Sequence, residues 1–177
     1  MPVKERGPGW AASLGLLLVT AGCAAVGGDE AGPSRTCQEA LRADEAKIRT
    51  DRWDPPKDLP GLGDYPEIHW QVRAKGNPCS RGPGPTEWAY QGVVTLRPED
   101  ARTLAQRYAF IPYDSVDPAE LPDSGPADTW PGLVPFLPAE PRWRYSRIYN
   151  ESEPSTRWRV AFLDVERGIL LFRLDDH

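Results

Sequence analysis

Proline and glycine set the first limit on what this chain can fold into. Its 177 residues include 20 prolines and 16 glycines, and proline ends helices and is excluded from the interior of sheets. Regular elements must therefore be short, with irregular connections between them. The hydrophobic share of 40% and the charged share of 27% are those of a globular protein. A chain of this length predicts a single domain, which commonly holds about 100–200 residues.

The first 28 residues predict export. Lys4 and Arg6 precede an uncharged stretch with an apolar centre at residues 10–19, and small residues follow. A basic start, a short apolar centre and a small-residue exit are typical of a secretory signal peptide. The alternative is an uncleaved anchor helix, because residues 7–28 carry no charge and are long enough to cross a bilayer. Both interpretations place the domain outside the cytoplasm.

The end of this segment, Val19-Thr20-Ala21-Gly22-Cys23, resembles the lipobox, the cleavage and acylation site of bacterial lipoproteins. It departs from the family's pattern at Thr20, where most members carry leucine or a similar apolar residue. The resemblance implies a signal peptide over residues 1–22 and a lipid on Cys23. It also implies a location on the extracytoplasmic face of the cell membrane, held there by the lipid. It covers only the signal and implies nothing about the activity of the domain.

The charge balance makes nucleic acid an unlikely partner. Removal of residues 1–22 takes away two basic residues and one acidic residue, which leaves 19 basic and 25 acidic residues, a net charge of −6. Nucleic acid is bound largely through neutralised phosphates, and no basic run is present. Arginine outnumbers lysine by 17 to 4, which resembles the composition of proteins from GC-rich genomes, actinobacteria among them.

Two cysteines remain if Cys23 is acylated. Cys37 and Cys79 lie 42 positions apart, and two lone cysteines at this distance lack the close ligand spacing of zinc sites. An even pair in an oxidising compartment favours a disulfide. We therefore predict a bridge between Cys37 and Cys79, with a metal site as the less favoured alternative.

A flexible tether at residues 23–35 and one α+β domain at residues 36–177 are predicted after the signal. Thr36 and Glu39 match a capping box for a helix over residues 37–50, in which Glu45 and Arg49 would pair one turn apart. Pro98 opens a second helix that ends near Tyr108. Patterns of apolar residues predict about five strands in a mostly antiparallel sheet, at residues 67–75, 88–96, 143–149, 157–164 and 169–174. If the first two strands form a hairpin, Cys79 lies in their connection.

The long proline-rich stretch at residues 109–141 separates the second helix from the last three strands. It contains eight prolines and six acidic residues but no lysine or arginine. A connection of this length is unusual within a compact domain, and its apolar residues are too many for a disordered linker. We expect an ordered loop that wraps over the core, with a short helical turn near residues 131–137.

No catalytic, metal-binding or cofactor motif is recognisable. The sequence has two histidines, and His69 lies on the polar face of the first strand, where an exposed residue without a role is expected more often than a general base. There is no nucleophile elbow, phosphate loop, dinucleotide fingerprint or zinc-protease helix. Catalysis by carboxylates that meet only in space stays open.

Arginines cluster in the last third of the chain and form the clearest candidate binding surface. Arg142 and Arg144, beside and on one predicted strand, share a face, as do Arg157 and Arg159 of the next. If these faces coincide, the sheet carries a basic patch that could bind a phosphate, a carboxylated cell-wall polymer or an acidic partner. The favoured alternative is that the arginines pair internally with acidic residues. Trp130, in the long loop, is a candidate contact residue because tryptophans in loops are more available than those of strands.

These observations favour a lipid-anchored envelope protein that binds a protein or a cell-wall polymer without catalysis. Two alternatives are an envelope hydrolase that uses carboxylates, and a secreted inhibitor that inserts the loop at residues 109–141 into a target. A deep pocket lined by carboxylates or by His69 would favour the hydrolase. A protruding loop would favour the inhibitor, and an aromatic surface with arginines would favour binding.

Overall fold

A computed structural model describes residues 35–52, 58–80, 87–152 and 157–176, all within one compact unit. The predicted signal peptide, Cys23 and the tether up to residue 34 lie outside the described residues. The helices and strands of the described residues are α1 (Arg35–Glu45), β1 (Glu67–Ala74), β2 (Trp88–Thr95), α2 (Pro98–Arg107), β3 (Ile111–Pro112), β4 (Arg144–Tyr145), α3 (Arg147–Glu151), β5 (Arg157–Asp164) and β6 (Ile169–Asp176).

The strands form one antiparallel sheet in the order β1-β2-β6-β5-β4-β3, so the predicted α+β class is confirmed. The hairpin of β1 and β2 is paired over its whole length, from Glu67 opposite Thr95 to Ala74 opposite Trp88. β5 and β6 form a second hairpin, with residues 165–168 as its turn. Gly168 has a φ of +66° in that turn, where glycine is unstrained.

Both faces of the sheet are covered. On one face, α2, α3 and the segment around Leu59 and Leu62 pack on β5 and β6, and Tyr149 of α3 is fully buried there. On the other face, the loop at residues 113–137 packs through Trp130 and Leu133 against the sheet. We call these the helix face and the loop face. In β5, all residues from Arg159 to Asp164 are buried as a result.

The proline-rich loop is ordered and wraps over the core, as predicted. It is built from short 3₁₀ turns, the last of which is Val134–Phe136, within the predicted turn region. The buried amide of Gln91 binds the loop at two points: Trp130 N donates to Gln91 Oε1 at 2.6 Å, and Gln91 Nε2 donates to the carbonyl of Asp128 at 3.3 Å. A side chain of the sheet thus satisfies main-chain groups that a buried loop would otherwise leave unpaired.

The first helix differs from its prediction. α1 begins at Arg35 and ends at Glu45, so Thr36 lies inside the helix and the capping box at its start is wrong. Arg49, predicted within the helix, instead forms a β-bridge with Trp70. Arg49 N donates to the carbonyl of Trp70 at 2.8 Å, and Trp70 N donates to the carbonyl of Arg49 at 2.9 Å. The side chain of Arg49 pairs with Asp44 at 2.8 Å rather than with Glu45. The open edge of β1 offers unpaired main-chain groups, and the chain satisfies them by leaving the helix.

The predicted strand at residues 143–149 is also corrected. Only Arg144 and Tyr145 form β4, and the chain then turns into α3. The Ser146 hydroxyl accepts a hydrogen bond from Tyr149 N at 3.1 Å and caps the helix. Arg147 pairs with Glu151 one turn later at 2.7 Å. β3 was not predicted, because two residues are too few to show a pattern.

Cys37 and Cys79 form the predicted disulfide, with Cα atoms 5.8 Å apart. The bond attaches α1 to the connection between β1 and β2, as expected from the hairpin. α1 contains no buried residue. Glu45 also attaches α1 to β1: its carboxylate accepts a hydrogen bond from Ala74 N at 2.9 Å, and its carbonyl accepts one from Gln71 Nε2 at 3.0 Å. The disulfide is therefore a principal link between this helix and the sheet.

Among the described residues, no helix has both the length and the apolar character that a membrane crossing requires.

Candidate functional site

Arg157 and Arg159 share a face of β5, as predicted, but this is the covered helix face. Arg159 is only 3% exposed. Its guanidinium donates to the carbonyl of Asp58 at 2.8 Å and to the carbonyls of Tyr149 and Ser152. Arg159 therefore joins three segments of the chain and is not available as a binding surface.

Arg157 is likewise paired internally. Its guanidinium bonds the buried carboxylate of Asp58 at 2.7 Å and that of Asp176 at 2.6 Å, and it lies 4.7 Å from the ring centre of Tyr90. Asp58 is 1% exposed, so this ion pair is largely shielded from water. The internal pairing with acidic residues that was weighed from the sequence therefore applies to Arg157. Arg159 is also bonded internally, but to main-chain carbonyls.

Trp130 does not serve as an exposed contact either. Its side chain is buried on the loop face, and the guanidinium of Arg73 lies 4.1 Å from its ring centre. The polar side of β1, interpreted from the sequence as facing solvent, is thus beneath the loop. His69 shows the same correction: its ring stacks on that of Phe136 at 3.6 Å, and its side chain is 13% exposed.

Arg142 and Arg144 lie together in a cleft of about 510 Å³ at the end of the sheet. The cleft is formed by β3, β4, the segment before β4 and the turn between β5 and β6. Its lining residues are Pro112, Tyr113, Asp114, Pro141, Arg142, Trp143, Arg144, Val165 and Glu166. We call it the arginine cleft, and it is the part of the predicted aromatic and arginine surface that remains open.

No family model, curated protein or solved structure matches this chain. The arginine cleft must be interpreted from its own chemistry.

The wall of the arginine cleft is fixed by Asp164, which is fully buried. Its carboxylate accepts hydrogen bonds from the main-chain N–H groups of Arg142 at 2.9 Å and Arg167 at 3.1 Å. The guanidinium of Arg167 donates a further bond at 3.1 Å. Burial alone would raise the pKa of Asp164, but these donors outweigh it and the pKa is lowered. Sequence analysis missed this residue, since only the strand pairing brings the turn near residue 142.

Asp164→Asn is expected to destabilise the protein by about 1–3 kcal/mol near neutral pH, because the donors lose a charged acceptor. A carboxyl group with a lowered pKa in the folded state stabilises above its unfolded pKa of about 3.9, and this stabilisation is lost as pH falls through the folded value. The difference between wild type and variant should therefore shrink below about pH 4. Chemical unfolding over a range of pH measures it, with Asp114→Asn, an exposed residue of the same cleft, as the control. A difference that is independent of pH would contradict the assignment.

A second, smaller cleft of about 280 Å³ has three carboxylates among its lining residues, those of Glu120, Asp123 and Glu151. Arg147 contacts Glu120 at 4.0 Å and Glu151 at 2.7 Å, and both carboxylates are more than half exposed. A glycosidase-type acid requires a carboxyl group sheltered from water, and these two are not sheltered. Within the described residues, no group of three or more His, Cys, Asp or Glu side chains is arranged to hold a metal ion.

Proposed function

We propose that this chain is an exported lipoprotein, acylated on Cys23 and held on the extracytoplasmic face of the cell membrane. The lipobox-like sequence that ends at Cys23 is the basis of this proposal. The disulfide between Cys37 and Cys79 supports it, because such bonds persist in oxidising compartments and are rare in the cytosol.

The domain is proposed to bind a partner rather than to catalyse a reaction. The observation that carries this proposal is the arginine cleft, in which Arg142 and Arg144 lie beside the aromatic side chains of Tyr113 and Trp143. Arginine and aromatic residues are enriched where proteins contact their partners. A lipid anchor would confine the cleft to the membrane surface, which raises the effective concentration of a neighbour in the same membrane.

The two alternatives receive less support. A secreted inhibitor would present a protruding loop. The loop at residues 109–141 instead lies against the sheet, where its own side chains Trp130 and Leu133 are buried. A carboxylate hydrolase would require a sheltered pair of acids. The three carboxylates of the second cleft, those of Glu120, Asp123 and Glu151, belong to exposed residues, and Arg147 contacts two of them, Glu120 and Glu151.

A crosslinked pull-down of the tagged, full-length protein from its own membranes tests this function. The wild-type chain is expected to remain with the membrane fraction and to retain a stoichiometric protein partner. The Cys23→Ala variant should stay uncleaved by the lipoprotein peptidase, because the acylated thiol is missing. Normal acylation and processing of this variant would refute the lipobox assignment. If the wild type retains no protein partner, the result would count against a protein-binding module. Wall polymers and hydrolase substrates would then be the ligands to test.

A further inference from the structure

Arg144 differs from every other arginine of the described residues that is at least partly buried. The others contact a carboxylate, a main-chain carbonyl or an aromatic ring; they are Arg49, Arg73, Arg157, Arg159 and Arg173. The side chain of Arg144 is partly buried but has no hydrogen bond, ion pair or ring contact with any described residue. A guanidinium without an internal partner can bind a planar acceptor such as a carboxylate through two parallel hydrogen bonds.

The fold holds Arg144 in this position. β4 places Arg144 between Pro112 of β3 and Leu163 of β5, so its backbone is fixed on both sides. The neighbouring acid Glu166 is occupied by Arg142, at 3.0 Å from each carboxylate oxygen. Asp114 is exposed and forms no ion pair with Arg144. The guanidinium is therefore left for an acceptor from outside the described part of the chain.

The surroundings of Arg144 limit what that acceptor can be. The cleft has two arginines and two acids, Asp114 and Glu166, so it has no excess of positive charge to attract a dense polyanion. The rest of its wall is largely apolar or aromatic, with Pro112, Pro141 and Trp143 among its residues. Its volume of about 510 Å³ lies within the range of small-ligand sites.

We infer that the arginine cleft binds a single carboxylate of an otherwise largely uncharged peptide segment, with Arg144 as the residue that holds the carboxylate. The apolar neighbours of the carboxylate contact Trp143 and the two prolines. This inference rests on the proposed binding function and specifies the chemistry of its ligand. A protein partner would present the carboxylate as a Glu or Asp side chain within a proline- or leucine-containing segment.

NMR titration of the ¹⁵N-labelled full chain in detergent micelles tests the inference. The probes are blocked tetrapeptides such as acetyl-Leu-Pro-Glu-Leu amide, each compared with its glutamine counterpart, with proline, leucine or tryptophan as the flanking residues. Glutamate peptides are expected to shift the Arg144 side-chain N–H signal and the Trp143 indole signal at millimolar concentration. Glutamine peptides should bind at least about tenfold more weakly, since they lack the charged acceptor.

Three variants separate the role of Arg144 from general charge. Arg144→Gln should weaken binding of the glutamate peptides by about tenfold or more, and Arg144→Lys should restore only part of it, because an ammonium cannot bind both oxygens in a fork. Arg102→Gln removes an exposed arginine of α2 and should leave binding unchanged. Equal binding of glutamate and glutamine peptides, or full affinity in Arg144→Gln, would overturn the inference. The inference would also be overturned if none of the peptides shifted these signals.

Polyanions provide the competing outcome. Polygalacturonate and a glycerol phosphate polymer are titrated in the same way, and we expect weaker shifts than with glutamate peptides. Stronger shifts of the same signals with either polymer would overturn the peptide assignment.

A membrane pull-down with Arg144→Gln separates the proposed binding function from the role of Arg144. Loss of the partner agrees with both proposals. Retention of the partner refutes the role of Arg144 and leaves the binding function standing.

Discussion

Arg159→Met is expected to lower the free energy of unfolding by about 3–5 kcal/mol. Three main-chain carbonyls, those of Asp58, Tyr149 and Ser152, would lose a charged donor, and hydrogen bonds to charged groups contribute about 1.5–3 kcal/mol each without adding fully. The site is shielded from water: Arg159 is 3% exposed, and the ring of Tyr149, 5.0 Å from the guanidinium, is fully buried. This burial raises the pKa of the Tyr149 hydroxyl. Thermal unfolding should show a fall in Tm on the order of 10 °C.

The control for this prediction is Arg147→Met. Arg147 bonds the carboxylate of Glu151 at 2.7 Å, but its side chain is 59% exposed, and exposed ion pairs contribute little to stability. Its replacement should leave Tm nearly unchanged. A Tm for Arg159→Met equal to that of the wild type would show that the buried guanidinium does not hold these segments together.

Cys37→Ser is expected to cost about 4 kcal/mol, the value that chain entropy gives for a loop closed over a sequence separation of 42. α1 buries none of its own residues, so little else would compensate for the lost bond. Tm should fall by roughly 10 °C, as measured by thermal unfolding of the oxidised protein.

Two comparisons check that the effect belongs to the disulfide. The double variant Cys37→Ser/Cys79→Ser should match the single variant, because both lack the same bond. A reducing agent should lower the Tm of the wild type to that of the variants and leave theirs unchanged. An unchanged Tm in Cys37→Ser, or two free thiols in native protein, would contradict the prediction.

Most of the strands could be predicted from the sequence because their patterns are local. The alternation from Glu67 to Ala74 gave β1, and Pro98 marked the start of α2. The coverage of both sheet faces was missed, although the nearly unbroken apolar runs of β5 and β6 are typical of strands that are buried on both sides. The polar residues of β1 led to a wrong prediction of solvent exposure, since Gln71 and His69 pack under the loop.

The candidate site could be predicted only in part. Arg142 and Arg144 were recognised as a pair, but their separation from Arg157 and Arg159 depends on what covers each stretch of the sheet. For Arg157 and Arg159 the covering element is α3, whose N-cap, Ser146, lies within the strand predicted at residues 143–149. Asp164 and Glu166 lie more than 20 positions from Arg142 along the chain. Such contacts follow from strand pairing, which one sequence does not reveal.

The disulfide between Cys37 and Cys79 also determines how tension travels through the molecule. A pull on the chain before Cys37 passes through the sulfur atoms to Cys79 and bypasses the residues between them, which include all of β1. Without the disulfide, these residues could extend under the pull to a length of about 150 Å, at ~3.5 Å per residue. The pull instead arrives ahead of β2, a strand that is paired on both sides, with β1 and β6. A pull on the chain before Cys37 would therefore leave the edge strand β1 in place.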